Sequence, residues 1–167
     1  MDKDKFNRIV RLFYDDVKRV AFVGCKDMYD AEDITQTTFI RLFRTSKTFE
    51  TDAHIKNWLL RVAINESRSL WRSPWKTKVS FDIPENISQG RNESVKQPDV
   101  FDAILSLKPK NREVVHLFYF EEYSAKEIAE MLGISENTVF KRLQRGRDQI
   151  EEYILRKKES KGDKTDE

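Results

Sequence analysis

A single cysteine, Cys25, is present, so no disulfide can form within the chain, and the expected compartment is a reducing one, the cytoplasm. Histidine is almost as scarce. His54 and His116, even with Cys25, are too few and too widely spaced to build a tetrahedral zinc site. No nucleophile–base constellation and no glycine-rich phosphate loop stands out, so no enzymatic activity, cofactor, metal or small-molecule substrate is expected. Apolar runs all fall well short of the roughly 20 residues needed to cross a bilayer. The opening "MDKDKFNRIV" is charged and lacks a signal-peptide core, so no membrane insertion is expected. Only 5 glycines and 4 prolines occur in 167 residues, whereas 36% of the chain is charged. Few breakers and many charges favour a mostly helical protein. The 31 basic and 29 acidic side chains leave a net charge of +2, so the placement of charge matters more than its sum.

Helical spacing is clear at both ends of the chain. Phe6, Ile9, Val10, Phe13, Val17 and Val20 line one face of a segment over 5–21, with Arg8, Arg11, Asp15, Lys18 and Arg19 opposite. A break is expected at 24–30. A second helix then starts near Asp30, taken as its N-cap, with Ile34, Phe39, Leu42 and Phe43 as its apolar surface. A third runs from Asp52 to about Arg72, with Ile55, Trp58, Leu59, Val62, Ala63 and Leu70 inward. On its other side Arg61, Asn65, Arg68 and Arg72 recur at i, i+4, i+7 and i+11 as one polar stripe without acidic partners.

Composition shifts at Ser73. The segment 73–99 is polar, holds three prolines and has no sustained period, which reads as an extended linker between two units. The expected architecture is therefore all-α: two small helical domains, 1–72 and 100–155, joined by that linker and followed by a frayed polar tail, 156–167. Residues 1–72 hold 14 basic and 11 acidic side chains and residues 100–155 hold 8 and 10, so neither unit is a general polyanion binder.

The most specific stretch is "YSAKEIAEMLGISENTVFKRLQRGRDQI", Tyr123 to Ile150. Ser124 and Glu127 form a capping box, with Tyr123 and Ile128 as its hydrophobic staple. Gly133 suits the left-handed residue that ends the helix, and Ser135 caps the next one. Ile128, Leu132, Val139, Leu143 and Ile150 share a core side. Asn137, Thr138, Lys141, Arg142 and Arg145 face outward on a helix of the width that enters a DNA major groove. The pattern is a helix-turn-helix. Alone it leaves open an autonomous regulator, with residues 1–72 as a sensor or dimerisation unit.

The longer segment "LKPKNREVVHLFYFEEYSAKEIAEMLGISENTVFKRLQRGRDQI" resembles region 4 of bacterial RNA polymerase sigma factors, and "DAEDITQTTFIRLFR" with "NWLLRVAINESRSLWR" resembles their region 2. Two such halves joined by a linker resemble the extracytoplasmic-function (ECF) subfamily. The resemblance implies promoter-specific transcription initiation with core RNA polymerase and promoter DNA as partners. It also implies an anti-sigma partner, which in such proteins is often membrane-bound and would hold the chain at the membrane. It assigns Asp33, Gln36 and Arg44 to the polymerase clamp. It assigns Thr48, Phe49, Asn57, Arg61, Asn65, Arg68 and Arg72 to the −10 element, with the loop at 45–52 holding a flipped base. It assigns Arg112, Asn137, Thr138, Lys141, Arg142 and Arg145 to the −35 element. Trp58 matches a family tryptophan and reads as core, whereas Trp71 and Trp75 suit base stacking and domain-edge packing equally. The chain departs from the family at Thr37, Ile64, Asn137 and Phe140. Phe140 suits either a thymine methyl or the preceding helix.

Overall fold

The computed structural model describes residues 1–73 and 98–162, and every described element is an α-helix. The first three helices make one bundle. α1 (Lys3–Cys25) begins where the Asp2 carboxylate accepts the Lys5 N–H at 2.8 Å. It ends at Lys26, whose backbone turns left-handed at φ 61° and donates its N–H to the Phe22 carbonyl at 2.7 Å. This one residue makes the turn that the sequence pattern spread over 24–30. α2 (Met28–Arg44) follows at once, capped by Asp27, which accepts the Asp30 N–H at 2.9 Å. Asp30, expected as that cap, sits instead in the first turn, because α1 runs five residues past Val20, the last of its periodic apolar residues, to Cys25. α3 (Asp52–Arg72) starts at Thr51, whose hydroxyl accepts the His54 N–H at 3.2 Å.

Ile9, Val17, Leu42, Ile55, Leu59 and Leu60 are fully buried between these helices, and each contributes about 1.5–3 kcal/mol relative to exposure. Trp58 packs edge-on against Phe49, with ring centroids 5.7 Å apart, at the margin of this core. Gly24 lets α1 and α3 approach so closely that a Cβ there would lie 2.5 Å from the Ser67 hydroxyl.

The second bundle holds α4 (Pro98–Ser106), α5 (Pro109–Tyr119), α6 (Ala125–Leu132) and α7 (Glu136–Gly162). α4 takes its first two residues from the expected linker, the rest of which lies outside the described residues apart from Ser73. Pro109 occupies the first turn of α5, where its missing N–H is harmless. At α6 both arms of the Ser124–Glu127 capping box form, and Gly133 closes the helix at φ 65°. Ser135 accepts the Thr138 N–H at 3.1 Å at the head of α7. Ile128, Val139 and Leu143 are buried as the pattern required, with Leu132 and Ile150 packed at the rim.

The tail departs from expectation, since α7 continues to Gly162 instead of fraying at 156. Side chains support the extra turns: Arg156 pairs with Glu152 one turn back, and Lys157 reaches Asp102 of α4 at 3.4 Å.

The two bundles touch. α5 lies on the C-terminal end of α1, and α6 lies beside the start of α3.

Candidate nucleic-acid interface

The recognition side of α7 is built as the sequence pattern indicates. Val139, Leu143 and Gly146 turn inward. Burying Gly146 brings α7 so close to α5 that an added Cβ would sit 2.5 Å from Val115 Cγ2. This contact fixes the rotation of α7 and leaves Asn137, Lys141 and Arg145 exposed, with Thr138 and Arg142 half-buried. Thr138 is held by Ser135, hydroxyl to hydroxyl at 2.8 Å. Phe140 is 53% exposed among these residues.

On α3, Arg61, Asn65 and Arg72 are exposed along one side, and Thr48 is exposed in the loop before it. Phe49 is half-buried against Trp58. Trp71 packs at the bundle edge, its indole N–H donating to the Gly24 carbonyl at 2.8 Å. Trp75 lies outside the described residues.

Three predicted DNA contacts are engaged elsewhere. Arg112, expected at the −35 element, is 1% exposed and sits far from the recognition surface, inside the seam between the bundles. Its Nε donates to the Val23 carbonyl at 2.6 Å and one Nη to the Gly24 carbonyl at 3.3 Å, at the end of α1. The other Nη donates to the Leu107 and Leu105 carbonyls at 2.9 and 3.3 Å, at the end of α4. A cation between two helix C-termini is favourably placed against both dipoles. Burial nevertheless pushes its pKa down to about 10, with Glu113 and Cys25 opposing the shift.

Arg68 makes a two-pronged bond to Glu113 of α5, Nε to Oε1 at 3.0 Å and Nη2 to Oε2 at 2.7 Å. That bond raises the arginine's pKa despite partial burial. The acidic partner missing from the stripe in sequence is thus supplied by the other bundle. Asn57 Oδ1 accepts the Tyr123 hydroxyl at 2.7 Å. Burial, followed by nearby negative charge, pushes the Tyr123 phenol upward, so it remains a donor.

Glu121 completes the seam. Its side chain, 2% exposed, lies 3.2 Å from Arg19 Nε, 3.4 Å from Lys56 Nζ and 3.4 Å from His116 Nε2. Burial alone would raise its pKa, but the three neighbours outweigh it and hold the carboxyl down at about 2.

A third surface runs along α2. Asp33, Gln36 and Arg44 are exposed there, as expected for a protein-binding face. Between them stand Tyr29, 86% exposed, with Ile40 and Phe43 also out in solvent. The sequence pattern gives Phe43 as part of the apolar surface of this helix, where its ring also meets Phe6 edge-on at 5.2 Å, and it does not single out Tyr29 and Ile40. Their spacing at 29, 33, 36, 40 and 44 was the available signal, since it follows one helical side. Arg147, also overlooked, is exposed on α7 and donates to the Tyr119 hydroxyl at 3.0 Å. Among the described residues no cluster of His, Cys, Asp or Glu could hold a metal, and no helix is long and apolar enough to cross a membrane.

Comparison with known proteins accounts for both bundles. Residues 9–77 match the family model for Sigma-70 region 2, and residues 99–150 match that for Sigma-70, region 4. The chain is 30% identical over 131 residues to RNA polymerase sigma factor SigV of Bacillus subtilis, spanning 78% of this chain and 79% of that one. It is 31% identical over 161 residues to ECF RNA polymerase sigma factor SigE of Mycolicibacterium smegmatis, spanning 90% of this chain but 62% of that relative's length. Among solved structures, the sigma factor RpoE in complex with the anti-sigma factor NepR from Bartonella quintana superposes with a TM-score of 0.73 at 22% identity, over 90% of this chain and 97% of that one. CnrH in complex with the cytosolic domain of CnrY gives 0.66 at 21% identity, over 92% of this chain and 89% of that one. At these identities the two structures establish a shared fold.

Proposed function

The chain belongs to the extracytoplasmic-function RNA polymerase sigma factors, and from that premise we propose how its surfaces divide the work of promoter-specific initiation. α2 docks on the clamp of core polymerase through Asp33, Gln36 and Arg44, with Tyr29, Ile40 and Phe43 supplying the apolar contact of that interface. α7 enters the major groove of the −35 element. Arg142 and Arg145 suit guanine edges or phosphates, Asn137 and Thr138 suit base edges, and Lys141 neutralises phosphate. The outward side of α3 takes the −10 strand: Arg61, Arg68 and Arg72 follow its phosphates, and Asn65 and Asn57 offer amide donors and acceptors to bases. Thr48 and Phe49 border the loop where an unstacked base is received.

The observation that carries this reading is the pairing of a basic, acid-free α3 side in one bundle with a capped helix-turn-helix in the other. An autonomous regulator would need only the second. The chain performs no bond chemistry in this scheme; that belongs to the polymerase. The working compartment is the cytoplasm, and an anti-sigma partner, of the kind that NepR is to RpoE in their complex, holds the chain inactive until release, at the membrane where that partner is membrane-bound.

The test is run-off transcription with purified bacterial core polymerase on promoter-length genomic fragments, with and without the protein. New defined start sites sharing two upstream elements are the expected result. Stable binding to a palindromic duplex without polymerase, and no new starts with it, would overturn the reading.

A further inference from the structure

We propose that Phe140 is a specificity-determining residue, which makes the −35 element carry a thymine by seating its ring against the C5-methyl group of that base in the major groove. The inference rests on the assignment of α7 to the −35 element. It adds which base the apolar side chain on the recognition side selects.

The place of Phe140 on the helix points to the groove. Val139 and Leu143 are buried and fix which side of α7 faces its own bundle. Phe140 lies about 100° round the helix from Val139, with 53% of its surface exposed. It falls early in a helix that starts at Glu136, within the N-terminal turns that a recognition helix aims at base edges. Asn137 stands one turn before it, Lys141 beside it and Gln144 one turn after it, all exposed. From Glu136 to Arg145 it is the only apolar side chain left exposed. Gln144 is held along α7, its Nε2 donating to Asp148 Oδ1 at 2.9 Å and its Oε1 accepting from Arg147 Nη2 at 3.0 Å. Both ends of that amide are engaged, which leaves the ring to meet the base on that side.

A lone exposed apolar side chain is common on protein surfaces, but one set within a surface that meets base edges discriminates between them. Every base pair shows hydrogen-bonding groups in the major groove, and thymine alone adds an apolar one, its C5 methyl. A phenyl ring can satisfy none of the polar groups. Pressed against cytosine N4 or guanine O6, it takes water from that atom and returns no bond. Against the thymine methyl, both apolar surfaces leave water together. The ring therefore selects thymine by attraction and rejects guanine and cytosine by exclusion.

The test uses the full chain bound to core polymerase, on duplex promoter fragments recovered by run-off transcription. Each thymine of the −35 element, on either strand, is replaced singly by deoxyuridine, which removes only the C5 methyl. At one thymine the wild-type holoenzyme is expected to bind about fourfold more weakly, the amount that one methyl of buried apolar surface supplies. The Phe140→Ala holoenzyme is expected to bind the unmodified promoter about fourfold more weakly than wild type and to be indifferent to that deoxyuridine. Phe140→Leu, still apolar, is expected to keep part of the response, and it carries the comparison if the alanine variant misfolds. Loss of the methyl also alters base stacking, but equally for every protein, so the coupling between residue and methyl isolates the contact. No thymine at which deoxyuridine weakens wild type, or an equal loss in Phe140→Ala, would overturn this inference alone. So would a Phe140→Ala chain that loses affinity for core polymerase without that coupling, which would make the ring a protein contact. If Lys141→Ala and Arg145→Ala leave promoter affinity and protection of the −35 region unchanged, the assignment of α7 falls, and this inference with it.

Discussion

Replacing Arg112 with methionine keeps most of the volume of the side chain and removes its charge and all its donors. The carbonyls of Val23, Leu105 and Leu107 then lose the guanidinium, and that of Gly24 keeps the Trp71 indole N–H alone. The bonds at 2.6 and 2.9 Å are charge-assisted and contribute about 1.5–3 kcal/mol each, and the two longer ones about 1 kcal/mol each. Against this stands the cost of keeping the guanidinium protonated inside. Its pKa falls from 12.5 to about 10, which corresponds to about 3 kcal/mol. The difference leaves Arg112→Met about 3 kcal/mol less stable than wild type, a loss of about 6–12 °C in Tm for a chain of this size. Arg112→Lys keeps the charge but cannot span two helix ends with one planar fork, and should fall between the two. Urea and thermal melts followed by circular dichroism at 222 nm measure the effect. A methionine variant as stable as wild type would refute the reasoning, since it would mean that the carbonyls at the ends of α1 and α4 are satisfied equally well without the guanidinium.

Further outcomes can be checked on the same protein. Gly146→Ala should destabilise by about 1 kcal/mol in thermal melts: the clash 2.5 Å from Val115 Cγ2 costs about 1–3 kcal/mol, and the better helix propensity returns only about 1 kcal/mol. Glu121 has a folded pKa of about 2 against an ordinary 4.5, so its contribution is complete above about pH 4.5 and is lost as pH falls toward 2. The loss amounts to about 3 kcal/mol, and urea melts between pH 5 and 2.5 should show a shallower decline for Glu121→Gln. Asn65→Ala should leave core binding unchanged and reduce promoter opening, scored by permanganate reactivity of unpaired thymines; unchanged opening would remove Asn65 from the −10 surface. Tyr29→Ser/Ile40→Ser should weaken core binding about tenfold or more, with little effect on Tm because both side chains already face water.

What could be read from the sequence was whatever is encoded within a few residues of itself. The Ser124–Glu127 box, the left-handed Gly133 and the Ser135 cap all form as written because each is a local bargain between a side chain and its own helix end. The apolar stripes of α1 and α3 were legible for the same reason. The cap of α2 was misplaced by three residues, because Asp27 and Asp30 are equally good caps and only the left-handed turn at Lys26 decides between them. The extension of α7 was missed because its support from Asp102 comes from another helix. The same limit applies to the site. Arg61, Asn65, Lys141 and Arg145 stand exposed on the helical sides where spacing put them. Arg112 and Arg68, chemically indistinguishable in sequence from their exposed counterparts, find partners 89 and 45 residues away. No periodicity encodes such pairings.

The guanidinium at the end of α1 also sets an order of events during synthesis. Arg112 is made 88 residues after the Gly24 carbonyl that it completes, an interval on the order of ten seconds at ordinary translation speeds. α2 and α3 are made within that interval, so for its last 40 residues, from Arg72 to Arg112, the amino-terminal bundle has every helix it needs but an unfinished end. A fragment stopped near residue 73 would carry that frayed end permanently. The newborn chain therefore passes through a period in which the α1–α3 bundle is assembled with its seam face uncovered, and it is the later arrival of α5 that first covers it.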